Sequence, residues 1–235
     1  MESVLYLIPS SLGAEEVDLY LPPAVVKTLH RLALFFAENI RTARRFIKST
    51  GYQGDISSLT FYELSKHTSG REIEALLKIL QEKGEAGMIS EAGLPGVADP
   101  GGSLVKLCHR HGIRVAPLTG PSSVFLALMA SGLNGQQFTF HGYLPKERSA
   151  RIRKIHDLER EMNRSGASQI FMETPYRNNH LLQDVLANCH DNTLLCIAAD
   201  LTMANEFILT QTIKTWKRNI PDLHKRPAIF IMGGK

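Results

Sequence analysis

Residues 88–105 read MISEAGLPGVADPGGSLV. The apolar run that closes at Ser90 predicts a strand over residues 86–90. The apolar spacing that resumes after Gly102 predicts a helix to His111, closed by Gly112. Between them, Glu91 and Asp99 stand among Gly93, Pro95, Gly96, Pro100, Gly101 and Gly102. Glycine opens left-handed backbone and proline fixes φ, so a loop rich in both holds one definite shape. A loop of this kind, leaving the carboxyl end of a strand and entering a helix, lies where α/β sheets bind ligands.

The same alternation extends in both directions. Residues 4–8, 32–37, 60–64 and 113–118 read as strands. A helix opens at Pro22-Pro23, and another over 40–49 carries a basic face of Arg41, Arg44, Arg45 and Lys48. A third follows Ser69-Gly70 with Ile73, Leu76, Leu77 and Leu80 at helical spacing. In the second half, strands are expected at 138–142, 169–173, 194–199, 207–211 and 228–232. Helices are expected from Thr119–Ser123 to Ala130, over 147–162 and over 177–188, with a short turn near Trp216. This order predicts an α/β protein with a largely parallel first sheet. Two strands precede Trp216 without a long helix between them, so the second sheet is expected to be mixed. The expected domains are 1–118 and 119–235, hinged near Gly120-Pro121.

The chain has 235 residues, 43% of them hydrophobic and 21% charged, the balance of a soluble globular protein. A net charge of +4 admits an anionic partner without requiring one. Cys108, Cys189 and Cys196 are odd in number and lack CxxC spacing, which suits reduced thiols in the cytosol. Residues 4–8 are too short for a signal sequence, and no run approaches the roughly 18 apolar residues of a membrane span. The expectation is a cytoplasmic protein with no membrane partner. His109 and His111 flank Cys108 closely, but no matching ligand pair occurs elsewhere, so no metal is expected.

The ligand is narrowed by what is missing. There is no GxxxxGK[ST], and GLPGVADPGG is not a GxGxxG turn leading into a helix. The following strand ends in Pro117-Leu118-Thr119, without the acid that binds a dinucleotide ribose. Glycine-freed backbone groups suit ribose hydroxyls and an amino-acid tail, and Glu91 and Asp99 suit a positive centre. A sulfonium donor such as S-adenosylmethionine has these features and needs neither a metal nor a phosphate cradle.

MISEAGLPGVADPG resembles the (V/I)SDAGxPxxxDPG signature of the tetrapyrrole methylase superfamily of S-adenosylmethionine-dependent methyltransferases. GIRVAPLTGPSS, ALMASGL and FTFHGYLPKERSAR follow, similar to that family's GI-x-V-x-P-x-PGPSA, ALxxSGL and F-x-F-x-GFLP. Upstream, LYLIPSSLG and AENIR resemble LYxVxTPIGN and AEDTR; downstream, FMETPYR resembles xxYESPHR. The words occur in order over nearly the whole chain. They are nearest the small-subunit ribosomal RNA (cytidine-2′-O)-methyltransferase branch. The resemblance implies two α/β domains with the donor in the cleft between them, a homodimer, and ribosomal RNA as substrate. Departures occur in several words: Ser90-Glu91-Ala92-Gly93 has a longer acid than SDAG, Ser10-Ser11-Leu12-Gly13-Ala14 stands for TPIGN, and Glu38-Asn39-Ile40-Arg41 for EDTR. Residues 199–203, ADLTM, stand where that branch has RELTK, Lys225-Arg226-Pro227 replaces KGE, and the chain reads to Lys235 without those enzymes' C-terminal helical segment. Methylation of a small molecule such as a tetrapyrrole, or donor binding without turnover, are the alternatives.

Site residues follow from the matched words. Pro9, Ser90, Glu91, Ala92, Gly93, Pro95, Gly120, Pro121, Ser122, Ser123, Glu173 and Leu201 are the implied donor contacts. Ser122 or Ser123 equally suits a helix N-cap, Asp99 is expected first to cap its turn, and Glu173 suits an ion pair with Arg177. If the acceptor is a ribose hydroxyl, Glu38 is the candidate base and Arg41 its orienting or phosphate-binding partner. A helix-start ion pair between those two is the competing reading. Lys146, Arg148 and Arg151, at a basic helix start with an Ile152, Ile155 and Leu158 stripe, are RNA-binding candidates; a solvated face is the alternative.

Overall fold

The structure, a computed structural model, describes residues 3–234. The chain divides into two compact units, Met1–Ser122 and Ser123–Lys235.

The first unit is built on five strands, β1 (Val4–Ile8), β2 (Leu34–Ala37), β3 (Thr60–Glu63), β4 (Glu85–Ile89) and β5 (Arg114–Pro117). All pair in parallel, in the order β3-β2-β4-β1-β5. Helices α1 (Pro23–Arg31), α2 (Ile40–Ser49), α3 (Gly70–Lys83) and α4 (Gly102–Arg110) connect them. Both faces of such a sheet must be covered, and side chains alternate between them. Leu34 and Phe36 of β2 and Met88 of β4 pack with Leu76, Leu77 and Leu80 of α3 and Leu104 of α4. On the other face Phe35, Ala37 and Ile89 pack with Val25 and Leu29 of α1 and Ala43 and Ile47 of α2. Each fully buried Leu or Phe contributes about 1.5–3 kcal/mol of apolar burial. Caps set the helix starts: Ser69 and Glu72 form a reciprocal capping box on α3, and the Asn39 side chain accepts from Arg41 and Thr42 backbone NH on α2.

The second unit also has five strands, β6 (Phe138–Tyr143), β7 (Ser168–Met172), β8 (Leu194–Ala199), β9 (Phe207–Thr212) and β10 (Ala228–Gly233). Their order is β6-β7-β10-β8-β9. Only β6 and β7 run parallel, so this sheet is mixed. Helices α6 (Arg148–Ser165), α7 (Asn178–Asn188) and α8 (Ile213–Trp216) cover one face, and α5 (Ser123–Ser131) the other. Trp216 is buried in the first of these layers, and its indole NH donates to the Leu195 carbonyl at 2.9 Å.

One detail of α6 differs from the expected stripe. Arg151, Ile155, Leu158, Glu159 and Met162 are its buried residues, while Ile152 is only half-buried. A charged stripe position is tolerable when its partner is supplied from another element. Asp184 of α7 supplies it for Arg151; the His190 backbone NH and the Thr193 hydroxyl supply it for Glu159. Among the described residues no helix is long and apolar enough to cross a membrane. All three cysteines are buried and unbonded.

Candidate functional site

In the first unit every strand ends at the same edge of the sheet. From β2 the chain passes by α2 outward to β3, whereas from β4 it passes by α4 the other way to β5. Since α2 and α4 lie on opposite faces, the two connections diverge and leave a crevice between the carboxyl ends of β2 and β4. Glu38 leaves β2 there, and the loop over residues 90–101 leaves β4.

That loop closes against two neighbours. Ser10 NH donates to the Gly93 carbonyl at 2.9 Å, and the Ser10 hydroxyl to the Ser90 carbonyl at 3.2 Å. Gly93, Gly96 and Gly101 all take positive φ, and at Gly93 (φ 70°) an added Cβ would also lie 3.1 Å from Leu12 and 3.5 Å from the Pro121 carbonyl. Ala98 adopts φ 62° without glycine's freedom, a local strain of the kind that collects at functional sites. A Cβ on Gly120 would stand 2.2 Å from Pro9 Cβ, so only glycine lets these two turns meet. Pro9, Ser90, Gly93, Gly120 and Pro121 thus form one cradle. Ser90, Gly93, Pro95 and Pro121 are buried in it, with Glu91 and Ala92 exposed on its rim.

Three carboxylates converge on the crevice. Glu38 Oε2 accepts from Glu91 backbone NH at 3.2 Å. Burial raises the Glu38 pKa; that hydrogen bond and nearby Lys66 oppose the rise, while the Glu91 charge adds to it. Asp99 is pushed up to about 6, chiefly by burial and then by the Glu38 charge, with Glu91 adding and a hydrogen bond from Ser90 opposing. Asp99 therefore belongs to the crevice, although its place before Pro100 ranks a turn cap ahead of a ligand role in the sequence. Ser90 and Glu91 reach it from its own loop, and only folding brings Glu38, from the end of β2, to join them. No ion pair joins Glu38 to Arg41: Arg41 is exposed, and Asn39 holds the helix start between them.

In the second unit, the candidate residues lie on several elements. Glu173, just past β7, is buried and accepts from Thr174 NH at 2.7 Å and from the Arg177 guanidinium. Leu201 is buried in the layer beneath α5. It sits between two non-glycine residues of positive φ, Asp200 (51°) and Thr202 (70°). The Thr202 hydroxyl is buried without a hydrogen-bond partner. No pattern in the sequence singled it out; the signal was its place in the ADLTM word. Ser122 is buried and Ser123 begins α5.

Lys146, Arg148 and Arg151 line an open depression of about 460 Å³ together with Glu173, Arg177 and His180. Only Lys146 there is an exposed cation outside an ion pair among the described residues. Arg148 reaches Asp184 Oδ1 at 3.0 Å. Arg151 is buried; its donors go to Asp184 Oδ2 and to the carbonyls of Pro145 and Lys146, the latter at 2.8 Å. Arg151 thus anchors its own loop.

Residues 5–216 match the family model of the tetrapyrrole (corrin/porphyrin) methylases. The chain belongs to this family. It is an S-adenosylmethionine-dependent methyltransferase. Among curated proteins it is similar to "Ribosomal RNA small subunit methyltransferase I" of Haemophilus influenzae, 28% identical over 100% of this chain and 80% of that one. The protein of the same name from Escherichia coli O157:H7 is 30% identical over 98% and 77%. That of Thermotoga maritima is 33% identical over 77% of each chain. Among solved structures, the methyltransferase CobJ superposes with a TM-score of 0.64 at 15% identity, over 100% of this chain and 95% of that one. That likeness concerns the fold alone.

The features of this tetrapyrrole methylase fit the donor. The crevice offers negative charge to a sulfonium and an ammonium group, and the strained 90–101 loop presents backbone groups at its rim. Among the described residues no group of three or more His, Cys, Asp or Glu side chains is placed to hold a metal ion.

Proposed function

We propose that this methylase transfers the methyl group to a ribose 2′-hydroxyl of small-subunit ribosomal RNA. The acceptor class is supported by the relatives named as ribosomal RNA methyltransferases. The observation that carries the chemistry is Glu38, a carboxylate of raised pKa fixed by the Glu91 backbone at the mouth of the crevice. Bound S-adenosylmethionine supplies an electrophilic methyl group on a cationic sulfur. The cradle of Pro9, Ser90, Glu91, Ala92, Gly93, Pro95, Gly120 and Pro121 holds the donor. Glu173, Leu201, Ser122 and Ser123 are further donor contacts. Asp99 and Glu91 balance the positive charge before transfer.

Glu38 acts as the base. The ribose oxygen bonds to the methyl carbon, the carbon–sulfur bond breaks with its pair left on sulfur, and the hydroxyl proton passes to the Glu38 carboxylate. Burial makes that carboxylate a stronger base than an exposed one. Arg41, exposed in the first turn of α2, orients the acceptor phosphate. Alignment in a shielded crevice supplies most of the remaining rate.

The protein acts in the cytoplasm as a homodimer. Support for the dimer comes from an exposed apolar face on α5 and the edge strand β6: Phe125 and Met129 are 57% and 77% exposed, and the Phe125 ring meets Phe138 edge-on. A helix that is apolar all round is one that is covered on all sides. Light scattering on the purified protein is expected to give twice the chain mass.

The deciding experiment incubates the protein with methyl-labelled S-adenosylmethionine and small-subunit RNA from cells lacking the gene. Label is expected on a ribose oxygen, and Glu38→Gln is expected to lower the rate by roughly 10²-fold or more. Label on a base, or none, overturns the reading.

A further inference from the structure

The outer side of α2, in the first unit, is strongly cationic. Arg41, Arg44, Arg45 and Lys48 stand at i, i+3, i+4 and i+7, within about 100° of arc and about 10 Å of helix length. Ala43 and Ile47 hold the opposite side in the core. Among the described residues none of these four cations takes part in an ion pair. Like charges at this spacing repel and destabilise a helix, and nothing else on α2 offsets them.

Three of the four also border a groove. Arg44, Arg45, Lys48, Tyr52 and Asp55 line an open depression of about 470 Å³. The one acid there does not neutralise it. Asp55 accepts from Ser57 backbone NH at 2.8 Å and from the Ser57 hydroxyl, as the cap of the short 3-10 turn Ile56–Ser58. The Arg44 guanidinium lies 5.1 Å over the Phe61 ring, a cation–π contact that tethers it beside the groove. The Tyr52 ring packs edge-on against His30.

We infer that this face is the track along which the RNA substrate docks, by its phosphates, as it enters the crevice. The inference rests on the RNA reading above and names the surface that serves it. Its direction follows from the fold: α2 begins at Asn39, next to Glu38, so the track starts at the crevice and leads away from it. Cationic grooves with an aromatic wall suit single-stranded nucleic acid, whose backbone they follow. Phosphate contacts set register and affinity without reading sequence.

The test uses the full chain and a short fluorescein-labelled single-stranded RNA, with anisotropy measured over a range of salt. Arg41 is left untouched because it belongs to the proposed active site. Arg44→Gln/Arg45→Gln/Lys48→Gln is expected to weaken binding at least tenfold at low salt and to reduce the salt slope by about 2, at roughly 0.7 per lost phosphate contact. Calorimetric binding of S-adenosylmethionine is expected to be unchanged. Arg45→Gln/Lys48→Gln keeps the Arg44–Phe61 stack, serves if the triple variant misfolds, and is expected to reduce the slope by about 1.4. Unchanged affinity and slope in these variants, with RNA bound by the parent, overturns the track and leaves the RNA reading standing. No RNA binding by the parent overturns both. Tighter binding of a polyglutamate peptide than of RNA to this face overturns its assignment to RNA.

Discussion

The two units treat charge in opposite ways. In the second, charges withdrawn from water are partnered: Arg151 with Asp184, Glu173 with Arg177, Asp200 with Arg226, and Glu159 with two hydrogen-bond donors. In the first, Arg31–Glu85 is the one ion pair among the described residues, and it lies far from the crevice. At the crevice, three acids crowd together, and beside it four cations stand in a row without acids. Charge partnered within the chain helps to build structure, whether or not it also meets a ligand as proposed for Glu173; charge without such a partner is left for a ligand. A basic run in a sequence does not reveal which kind it is. Lys146–Lys154 looks more RNA-like than α2, yet its inner arginine is committed to Asp184.

The contrast breaks most visibly at Asp184. Replacing it by Ala leaves Arg151 buried and unpaired, which is expected to cost about 3–5 kcal/mol in urea unfolding of the protein. The paired exchange Arg151→Met/Asp184→Leu is expected to recover most of that loss. If Asp184→Ala costs less than about 1 kcal/mol, the pair is not structural and the contrast fails.

Next in size is Asp99. A carboxyl pushed up to about 6 holds its proton more tightly in the folded than in the unfolded chain. That stability is present at low pH and is lost as pH rises from about 4 to about 6. Glu38, also raised, acts in the same direction. Asp99→Asn is therefore expected to be about 1–2 kcal/mol more stable than the parent at neutral pH, solvent screening included, with the gap closing near pH 4. S-adenosylmethionine binding should then weaken as pH falls through about 6 in the parent and less so in Asp99→Asn, because protonation removes the charge facing the donor. Identical profiles would remove Asp99 from the site.

The smallest effect belongs to Arg148, whose side chain is 73% exposed although it pairs with Asp184. Arg148→Ala is expected to change stability by less than about 1 kcal/mol. Its effect on RNA affinity should also be smaller than that of the α2 variants. A larger loss of RNA binding here than on α2 would reverse the assignment of the two basic surfaces.

What could be read in advance follows the same division. Strands β1 and β8 and helix α2 begin and end where the apolar and polar spacing places them, because that signal is local. The 3-10 turns Val17–Leu19, Ile56–Ser58 and Pro175–Arg177 were not legible: three residues carry no period. The basic run places Arg151 on an outward face in the sequence, because the partner that buries it lies 33 residues away. Glu38 and Glu91 were legible from their motif words. Their union with Asp99 was not, because the 53 residues separating Glu38 from Glu91 are closed only by the pairing of β2 with β4.

The strand order also bears on how the chain is made. In the first unit the last strand to be synthesised, β5, adds to an outer edge beside β1. In the second, the last strand, β10, inserts between β7 and β8. Until residues 228–233 have left the ribosome, β7 and β8 each keep an open, apolar edge, and the layer around Trp216 lacks Phe230 and Met232. Open edges of that kind invite pairing with another chain. The first unit can settle during translation, while the second must wait for its keystone. Slow synthesis over residues 200–227 therefore exposes the nascent second unit to aggregation, at a stage when the crevice-bearing half is already folded.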